Sequence, residues 1–332
     1  MVRWLLSLVP GPVPPGPRLT IVRHHRVYAA AERPLYRLGV GEDVLGAQLA
    51  ALRAAGLTPV SVGEGLHRLA ENRRGHWVAM TFDDGYADNV TRALPLLERT
   101  GAKATFYLTA GWMDERRAAW WDEIAHSLAN ARVGSAVWSS PRGDRLPLRL
   151  DSDAARAATL QRLLPEFRLP LNERGEALDR LRAATGATGE PACEFADWKQ
   201  AARLAEAGME IGAHTLHHPH LSRLDAGEQR DEIVGSVRLI ESRLGMSPTG
   251  FAYPGGDFDD VSIGVIRDSK VGHAVTTRRG DVLPGADRHL LARRGLSEGA
   301  CLGPTGRFST RLTMAEVRGA FDGLRARAEA AA

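Results

Sequence analysis

The chain has 332 residues, of which 44% are hydrophobic and 25% are charged. This composition is typical of globular proteins and excludes collagen, coiled coil and intrinsic disorder. Its 43 basic and 40 acidic residues leave a net charge of +3, which is too small to favour nucleic acid or anionic lipid as a general partner. Two cysteines, Cys193 and Cys301, cannot form a cysteine-rich zinc site alone, and we interpret them as incidental thiols.

Residues 1–17 are predicted to form an arm before the folded domain. The run MVRWLLSLVP is too short for a membrane span, and no small-residue cleavage site follows it. The alternative to a loose arm is peripheral membrane contact through Trp4, Leu5, Leu6 and Leu8. We expect a cytoplasmic or inner-membrane-peripheral location, with secretion as an open alternative. The oligomeric state is left open.

From residue 18 onward, short apolar runs alternate with helical patterns. The predicted strands are 19–22, 57–62, 77–82, 104–109, 209–213, 251–253, 274–277 and 289–292. The predicted helices are 44–55, 63–72, 87–100, 197–207 and 228–244. This rhythm predicts an α/β fold built on a parallel sheet, either open or closed as a barrel.

The rhythm breaks between residues 111 and 194. This segment contains two adjacent tryptophans, the loop-like stretch SSPRGDRLP and helical segments rich in arginine and alanine. We predict a long insertion without a periodic core of its own, which serves as a lid or wall of one domain over residues 18–310. Residues 311–332 are predicted to form a C-terminal helix and tail.

Two adjacent carboxylates follow one of the predicted strands, in the run TFDDGY that contains Asp83 and Asp84. The carboxyl end of a parallel strand is where α/β folds place their active sites. Neighbouring side chains there point in different directions, so one carboxylate could bind a cation while the other acts as a base. The alternative is an Asx-turn with a helix cap, which needs only one aspartate.

Four histidines lie within the seven residues HTLHHPH, which follow the predicted strand 209–213. His214 and His218 have the i, i+4 spacing of metal ligands, here on a loop because glycine and proline oppose a helix. Together with one of the aspartates they form a two-histidine, one-carboxylate set that leaves a position open for water. A divalent ion in such a site lowers the pKa of water to around 7 and polarises a carbonyl. Non-haem iron oxygenases use the same set, but usually on a double-stranded β-helix.

The motifs TFDDGYADN, IGAHTLHHPHL and FAYPGG, in this order, resemble those of the polysaccharide deacetylase family (NodB homology, carbohydrate esterase family 4). The resemblance covers about residues 18–295. It implies a distorted (β/α)7-type barrel that binds one divalent metal. By the same resemblance Asp83 is the catalytic base, and the metal ligands are Asp84, His214 and His218.

The third motif departs from the family pattern, which has an arginine where this chain has Ala252. Gly255 still offers a backbone N–H for an oxyanion, and Tyr253 beside it is expected near the substrate. Relatives with an F-A-Y-P motif carry an arginine on a late strand. Arg293 is the preferred candidate for that role, and its neighbour Arg294 is the alternative.

The family's C-terminal histidine is also missing. The run IVRHHRV resembles the early segment of biofilm poly-N-acetylglucosamine deacetylases, which implies that His25 is the general acid. Trp120 and Trp121 resemble a segment of the F-A-Y-P relatives and are predicted to line a sugar groove, with core packing as the alternative for one of them.

The resemblance implies a metal-dependent hydrolase that removes N-acetyl groups from an N-acetylhexosamine-containing glycan, glycoconjugate or lipid-linked sugar. Zinc is the expected metal, although the ligand set also suits nickel, cobalt or iron. The alternatives are a carbohydrate-binding pseudoenzyme, which the missing motif arginine favours, and a hydrolase of O-acetyl esters or other amides.

Overall fold

The computed structural model describes residues 16–30, 32, 34–71, 74–323 and 325. Most of the predicted N-terminal arm, including its membrane-contact residues, lies outside these ranges. The chain divides into two compact units. The first comprises Met1–Glu32, Gly39–Asp114 and Ala196–Ala332, and the second comprises Arg33–Leu38 and Glu115–Phe195.

Strands are numbered here in chain order. They are β1 (Arg18–His24), β2 (Val27–Tyr28), β3 (Val40–Gly41), β4 (His76–Phe82), β5 (Ala104–Leu108), β6 (Ser135–Ser139), β7 (Arg145–Arg149), β8 (Glu210–Ala213), β9 (Gly250–Ala252), β10 (His273–Val275) and β11 (Arg294–Gly295). Seven of them form one parallel sheet in the order β10-β9-β8-β5-β4-β1-β11.

The sheet curls toward closure through the chain that leads into β11. Leu291 forms an isolated parallel bridge with Val275 of β10, whereas Arg294 pairs with Val22 of β1. One short segment therefore contacts both edges of the sheet. The predicted α/β barrel fold is confirmed.

Alternate residues of each strand point to the interior of this barrel, and the inward-facing residues are mostly apolar. Its main cluster contains Leu19, Ile21, Val62, Leu66, Leu69, Ala79, Tyr107, Ala252, Val275, Val282 and Leu291. The predicted site residues lie at the carboxyl ends of the strands, where Asp83 follows β4 and His214 follows β8.

The helices are likewise numbered in chain order. They are α1 (Glu42–Ala54), α2 (Val62–Ala70), α3 (Leu94–Thr100), α4 (Ala110–Glu115), α5 (Trp120–Ala129), α6 (Asp153–Leu163), α7 (Leu171–Thr185), α8 (Trp198–Glu206), α9 (Ala226–Leu244), α10 (Asp260–Asp268), α11 (Glu298–Cys301) and α12 (Thr310–Val317). A π-helical turn, Asn89–Ala93, precedes α3. Among the described residues no helix has both the length and the hydropathy of a membrane span.

The predicted strand 57–62 is wrong. Only Val60 pairs there, through a single parallel bridge to Ala79. The side chain of Ser61 accepts a hydrogen bond from the backbone N–H of Glu64 and so caps α2, which begins at Val62. An N-cap serine directly after Val60 ends the extended segment before it can pair further.

The second unit has a hydrophobic core of its own, which the sequence analysis did not anticipate. The antiparallel strands β6 and β7 leave only residues 140–144 as a loop, so the predicted loop 139–147 is too long. The buried core residues of this unit are Ile124, Leu128, Trp138, Leu148, Leu150, Leu160, Leu163, Phe167, Ala177, Leu178 and Leu181. Each element contributes at most three of them, so no single segment shows a strong period.

Candidate active site

Asp83 and Asp84 leave the end of β4 in different conformations. The backbone N–H of Asp83 continues the β1 pairing by donating to the carbonyl of His24 at 3.0 Å. Asp84 has a φ of +75° and Gly85 a φ of +84°, left-handed values that are uncommon outside glycine. The turn directs the two carboxylates to different partners. Both are buried, with 2% and 1% of their surfaces exposed.

Arg293 holds the carboxylate of Asp83. Its Nη1 donates to Oδ1 at 2.6 Å and its Nη2 donates to Oδ2 at 2.7 Å. Nη1 also donates to Thr81 Oγ1, and Nε donates to the carbonyl of Thr276. Burial alone would raise the pKa of Asp83, but the guanidinium of Arg293 outweighs it and holds the pKa well below its usual range. Asp83 is therefore an ionised carboxylate at neutral pH.

The neighbouring arginine has a different environment. Arg294 forms ion pairs with Asp281 and with Asp322. Of the two arginines considered for the missing motif position, the structure brings Arg293 to the carboxylate of Asp83.

His214 follows β8 and is oriented by two hydrogen bonds. Its backbone N–H donates to the carbonyl of Leu108 at 2.9 Å. Its Nδ1 lies 2.6 Å from the carbonyl oxygen of Ala252. Because a carbonyl can only accept, Nδ1 carries the ring proton and the lone pair is on Nε2. That Nε2 lies 3.5 Å from Asp84 Oδ1, as expected of a histidine prepared to bind a metal.

A tight turn brings His218 back toward His214. Thr215 and His218 have φ values of +63° and +50°, and the backbone N–H of His218 donates to Thr215 Oγ1 at 3.0 Å. The Nε2 atom of His218 lies 3.7 Å from Asp84 Oδ1. Its ring stacks on Trp112, with centroids 5.9 Å apart.

Together these residues form a set of ligand atoms that fits a divalent metal. The three atoms from Asp84, His214 and His218 lie within 4.8 Å of one another. Asp84 Oδ1 is buried and has no hydrogen-bond partner among the described residues, which is costly for a carboxylate unless a cation binds it. Two ligands about 2.1 Å from a tetrahedral metal lie roughly 3.4 Å apart. The Nε2 atoms of His214 and His218 lie at similar distances, 3.5 and 3.7 Å, from Asp84 Oδ1. One oxygen and two imidazole nitrogens suit zinc, nickel, cobalt or iron.

His25 directly follows β1, the strand that pairs with β4. His24 is in register with Phe82, so His25 is level with Asp83, and Asn89 Nδ2 donates to the carbonyl of His25 at 2.7 Å. Burial lowers the pKa of His25, and the charges of Asp84 and Asp83 oppose that effect. The His25 ring is therefore in the electrostatic field of both aspartates.

Two contacts around the histidine loop escaped the sequence analysis. Glu232 of α9 accepts hydrogen bonds from the backbone N–H groups of Leu216 and His217, both at 2.9 Å. Its other oxygen lies 2.7 Å from His217 Nδ1. Trp112 on α4 is the second contact, through its stacking on His218. No local motif marks either residue, since their roles come from distant elements that meet at one loop.

The third motif contacts the site through the backbone carbonyl of Ala252, which accepts from His214 Nδ1. Gly255 is exposed and has a φ of +61°, and His220 Cε1 would lie 3.2 Å from a Cβ atom there. The ring of Tyr253 is fully buried and packs against Phe251 and Phe258. Substrate contact by Tyr253 stays a prediction without support from this packing.

The two adjacent tryptophans lie in the second unit. Trp121 is buried, and Trp120 stacks on Phe167 with an interplanar angle of 5°. The guanidinium of Arg174 lies 5.1 Å from the centroid of the Trp120 ring. Their predicted role in a sugar groove remains untested, and both make packing contacts within their own unit.

Comparisons with curated proteins give short matches. The chain is 31% identical over 64 residues to a peptidoglycan deacetylase of Helicobacter pylori, which covers 19% of this chain and 22% of that protein. It is also 31% identical over 77 residues to the uncharacterized protein YlxY of Bacillus subtilis. That aligned segment covers 23% of this chain and 24% of YlxY. The chain thus matches less than a quarter of either relative's length.

Solved structures share the fold over most of the chain. IcaB from Ammonifex degensii matches with a TM-score of 0.57 at 18% identity, covering 92% of this chain and 98% of that one. The Streptococcus pyogenes deacetylase PplD, solved in complex with acetate, matches with a TM-score of 0.55 at 18% identity, covering 84% and 92%. The family model described as polysaccharide deacetylase matches residues 70–160 and 172–272, which is more than half of the chain. The chain belongs to the polysaccharide deacetylase family.

Proposed function

We propose that this chain is a metal-dependent hydrolase that removes N-acetyl groups from an N-acetylhexosamine-containing glycan or glycoconjugate. The observation that carries the proposal is the set of ligand atoms from Asp84, His214 and His218, next to the ionised Asp83 held by Arg293. Family membership and the deacetylases among the relatives agree with this activity.

The three ligand residues would hold one divalent cation, with zinc as the expected metal. When bound there, such an ion supplies Lewis acidity, which lowers the pKa of water and polarises a carbonyl. The lone pair of His214 Nε2 is already available because Nδ1–H is bonded to Ala252. No rearrangement of that ring is needed for it to bind.

Asp83 acts as the general base. Water attacks the acetyl carbon while Asp83 takes its proton, and Arg293 keeps the carboxylate ionised and oriented. The two hydrogen bonds from Arg293 occupy one lone pair on each oxygen, which leaves further lone pairs of the carboxylate free to accept a proton.

Two further groups complete the reaction. The N–H of Gly255 donates to the carbonyl oxygen as negative charge develops on it. His25 protonates the nitrogen as the carbon–nitrogen bond breaks. Over the whole reaction the acetyl group gains the hydroxyl of water and the nitrogen gains a proton, which gives acetate and a free amine. Burial disfavours the charged form of His25, so a proton that this ring carries is readily transferred.

The missing motif arginine was the sequence feature that favoured a pseudoenzyme. The pair between Arg293 and Asp83 supports an active enzyme, since a guanidinium reaches the proposed base from the segment before β11. We place the reaction in glycan assembly, at a cytoplasmic or inner-membrane-peripheral location and on a glycan or lipid-linked sugar.

Acetate release tests the proposal. The protein is incubated with N-acetylglucosamine oligomers and, separately, with an O-acetylated xylan, each with and without a chelator and after re-addition of Zn²⁺. The expected result is release from the N-acetylated oligomers that stops on chelation and returns with the metal. Release from the xylan alone would identify an esterase, and no metal-dependent release from either substrate would contradict an enzymatic role.

A further inference from the structure

Arg23 extends the inward face of β1 into the site. Leu19 and Ile21 belong to the interior cluster, and Arg23 follows them at the same spacing, so it lies on the same face. In register it lies opposite Thr81 of β4, whose hydroxyl accepts a hydrogen bond from Arg293. Arg23 is thus level with the residues that surround Asp83.

Room for this side chain exists because its neighbour on the other side is glycine. Arg23 pairs with Gly295 of β11, and a Cβ atom at Gly295 would lie 3.7 Å from Arg23 Nη2. A larger residue would extend into the space beside the guanidinium. Arg23 is half-buried, so a ligand entering the site could reach it.

Arg23 has no counter-ion in the part of the chain that the structure describes. Its Nε is buried without a hydrogen-bond acceptor, and among the described residues no carboxylate lies within the 4.0 Å that defines an ion pair. Arg293 and Arg294, in contrast, each bind carboxylates. Burial and the neighbouring charge of Arg293 lower the pKa of Arg23 to about 10, against the opposing effect of Asp83 and Asp84. Buried polar groups normally have partners, and one without a partner calls for a ligand that supplies it.

A bound metal would make the reaction centre positive beside Arg23. Asp83 and Arg293 neutralise each other, and Asp84 is one of the three residues that would hold a divalent cation. The two charges of that cation would exceed the single charge of Asp84 and leave an excess of positive charge. A neutral sugar has no group that matches this excess, whereas a carboxylate or phosphate does and fits a guanidinium through two parallel hydrogen bonds.

We propose that Arg23 binds an anionic group, a carboxylate or a phosphate, of the N-acylated amino sugar that the site accepts. The substrate class is then an acidic amino sugar. This inference rests on the proposed function, since it places the acetamide at the site of Asp83 and Asp84.

Calorimetric titration of the chelated protein tests this inference without turnover. The probes are N-acetylglucosamine, N-acetylmuramic acid, which adds a carboxylate, and N-acetylglucosamine 1-phosphate, which adds a phosphate. We expect at least one acidic probe to bind about tenfold or more tightly than the neutral sugar, because one hydrogen bond to a charged group is worth at least that factor. The probe that gains affinity identifies the anion.

Three variants assign the preference to this side chain. Arg23→Gln should bind acidic and neutral probes alike, and Arg23→Lys should keep part of the preference. Arg230→Gln removes an exposed arginine of α9 and should keep all of it. Equal affinities for acidic and neutral probes in the wild-type protein, or a preference that survives in Arg23→Gln, would overturn the inference.

The metal-loaded wild-type protein separates this inference from the proposed function. Acetate release from neutral N-acetylglucosamine oligomers without any charge preference in the titrations would overturn only the role of Arg23. A charge preference without acetate release from any probe would support the anion site and contradict the proposed activity.

Discussion

Both terminal guanidinium nitrogens of Arg293 donate to Asp83, one to each carboxylate oxygen, at 2.6 and 2.7 Å. Only 1% of the Arg293 surface is exposed, so water competes little for this pair. A planar guanidinium that binds both oxygens fixes the orientation of the carboxylate as well as its charge. The proposed base is thereby held in place by a residue that directly precedes β11, more than 200 positions later in the sequence.

Replacing Arg293 by glutamine should damage both stability and turnover. The variant leaves Asp83 buried without a counter-ion, which costs about 3–5 kcal/mol of unfolding free energy. We expect acetate release by the remaining folded protein to fall by about a hundredfold or more, as for a base that is no longer correctly charged or placed. Urea unfolding and acetate release measure the two effects.

Arg294→Gln is the matched control. It breaks the pairs with Asp281 and Asp322 and should lower stability without lowering turnover per folded molecule. Equal turnover in the Arg293 and Arg294 variants would contradict a special role for the pair with Asp83.

Glu232 is expected to act on the metal through the histidine loop. Glu232→Ala leaves the N–H groups of Leu216 and His217 without their acceptor, so His218 loses its fixed position. We expect metal affinity to weaken about tenfold or more, as when other outer contacts of metal ligands are removed. Competition with a chromogenic chelator measures the affinity.

Glu228→Ala provides a control on the same helix. Glu228 accepts from the backbone N–H of Asp225 in the capping box of α9, so its loss should cost about 1 kcal/mol of stability. The metal affinity of this variant should be unchanged. If both variants bind metal like the wild-type protein, Glu232 does not position the ligands.

Acid should destabilise the fold through His24. Burial lowers the pKa of His24 from 6.5 to about 4 against a hydrogen bond to Gln48 that raises it. Between these two values the unfolded chain binds a proton that the folded chain does not, so stability is highest above pH 6.5 and falls as the pH drops toward 4. The slope is about 1.4 kcal/mol per pH unit at most.

Urea unfolding at pH 7 and pH 5 tests this dependence. His24→Gln should show a smaller decrease than the wild-type protein, while His76, whose pKa is also lowered to about 4, keeps its own contribution in both. An identical decrease in the two proteins would show that His24 is not the group responsible.

Sequence patterns predicted those strands that are runs of buried apolar residues. They also predicted the site residues of the motifs TFDDGY and HTLHHPH. Asp83, Asp84, His214 and His218 could be identified because their residue types and spacings are rare by chance. The choice between Arg293 and Arg294 required the structure, although the alternation of side chains along an extended segment already favoured Arg293. Leu291 belongs to the interior cluster, and a residue two positions later lies on the same face of an extended segment.

Other features depend on contacts between distant residues. Glu232 reaches the histidine loop from a helix, and Arg23 is exceptional only because its Nε has no hydrogen-bond partner within the described ranges. The core of the second unit is drawn from several short elements, none of which has a period that marks it in the sequence.

The most direct test of the account compares metal content and turnover in Asp83→Asn and Asp84→Ala. We predict that Asp83→Asn keeps one divalent ion per chain by elemental analysis and releases acetate from N-acetylglucosamine oligomers at least about a thousandfold more slowly. Asp84→Ala should lose the ion together with turnover. Near wild-type acetate release by Asp83→Asn with the ion bound would contradict the assignment of Asp83 as the base.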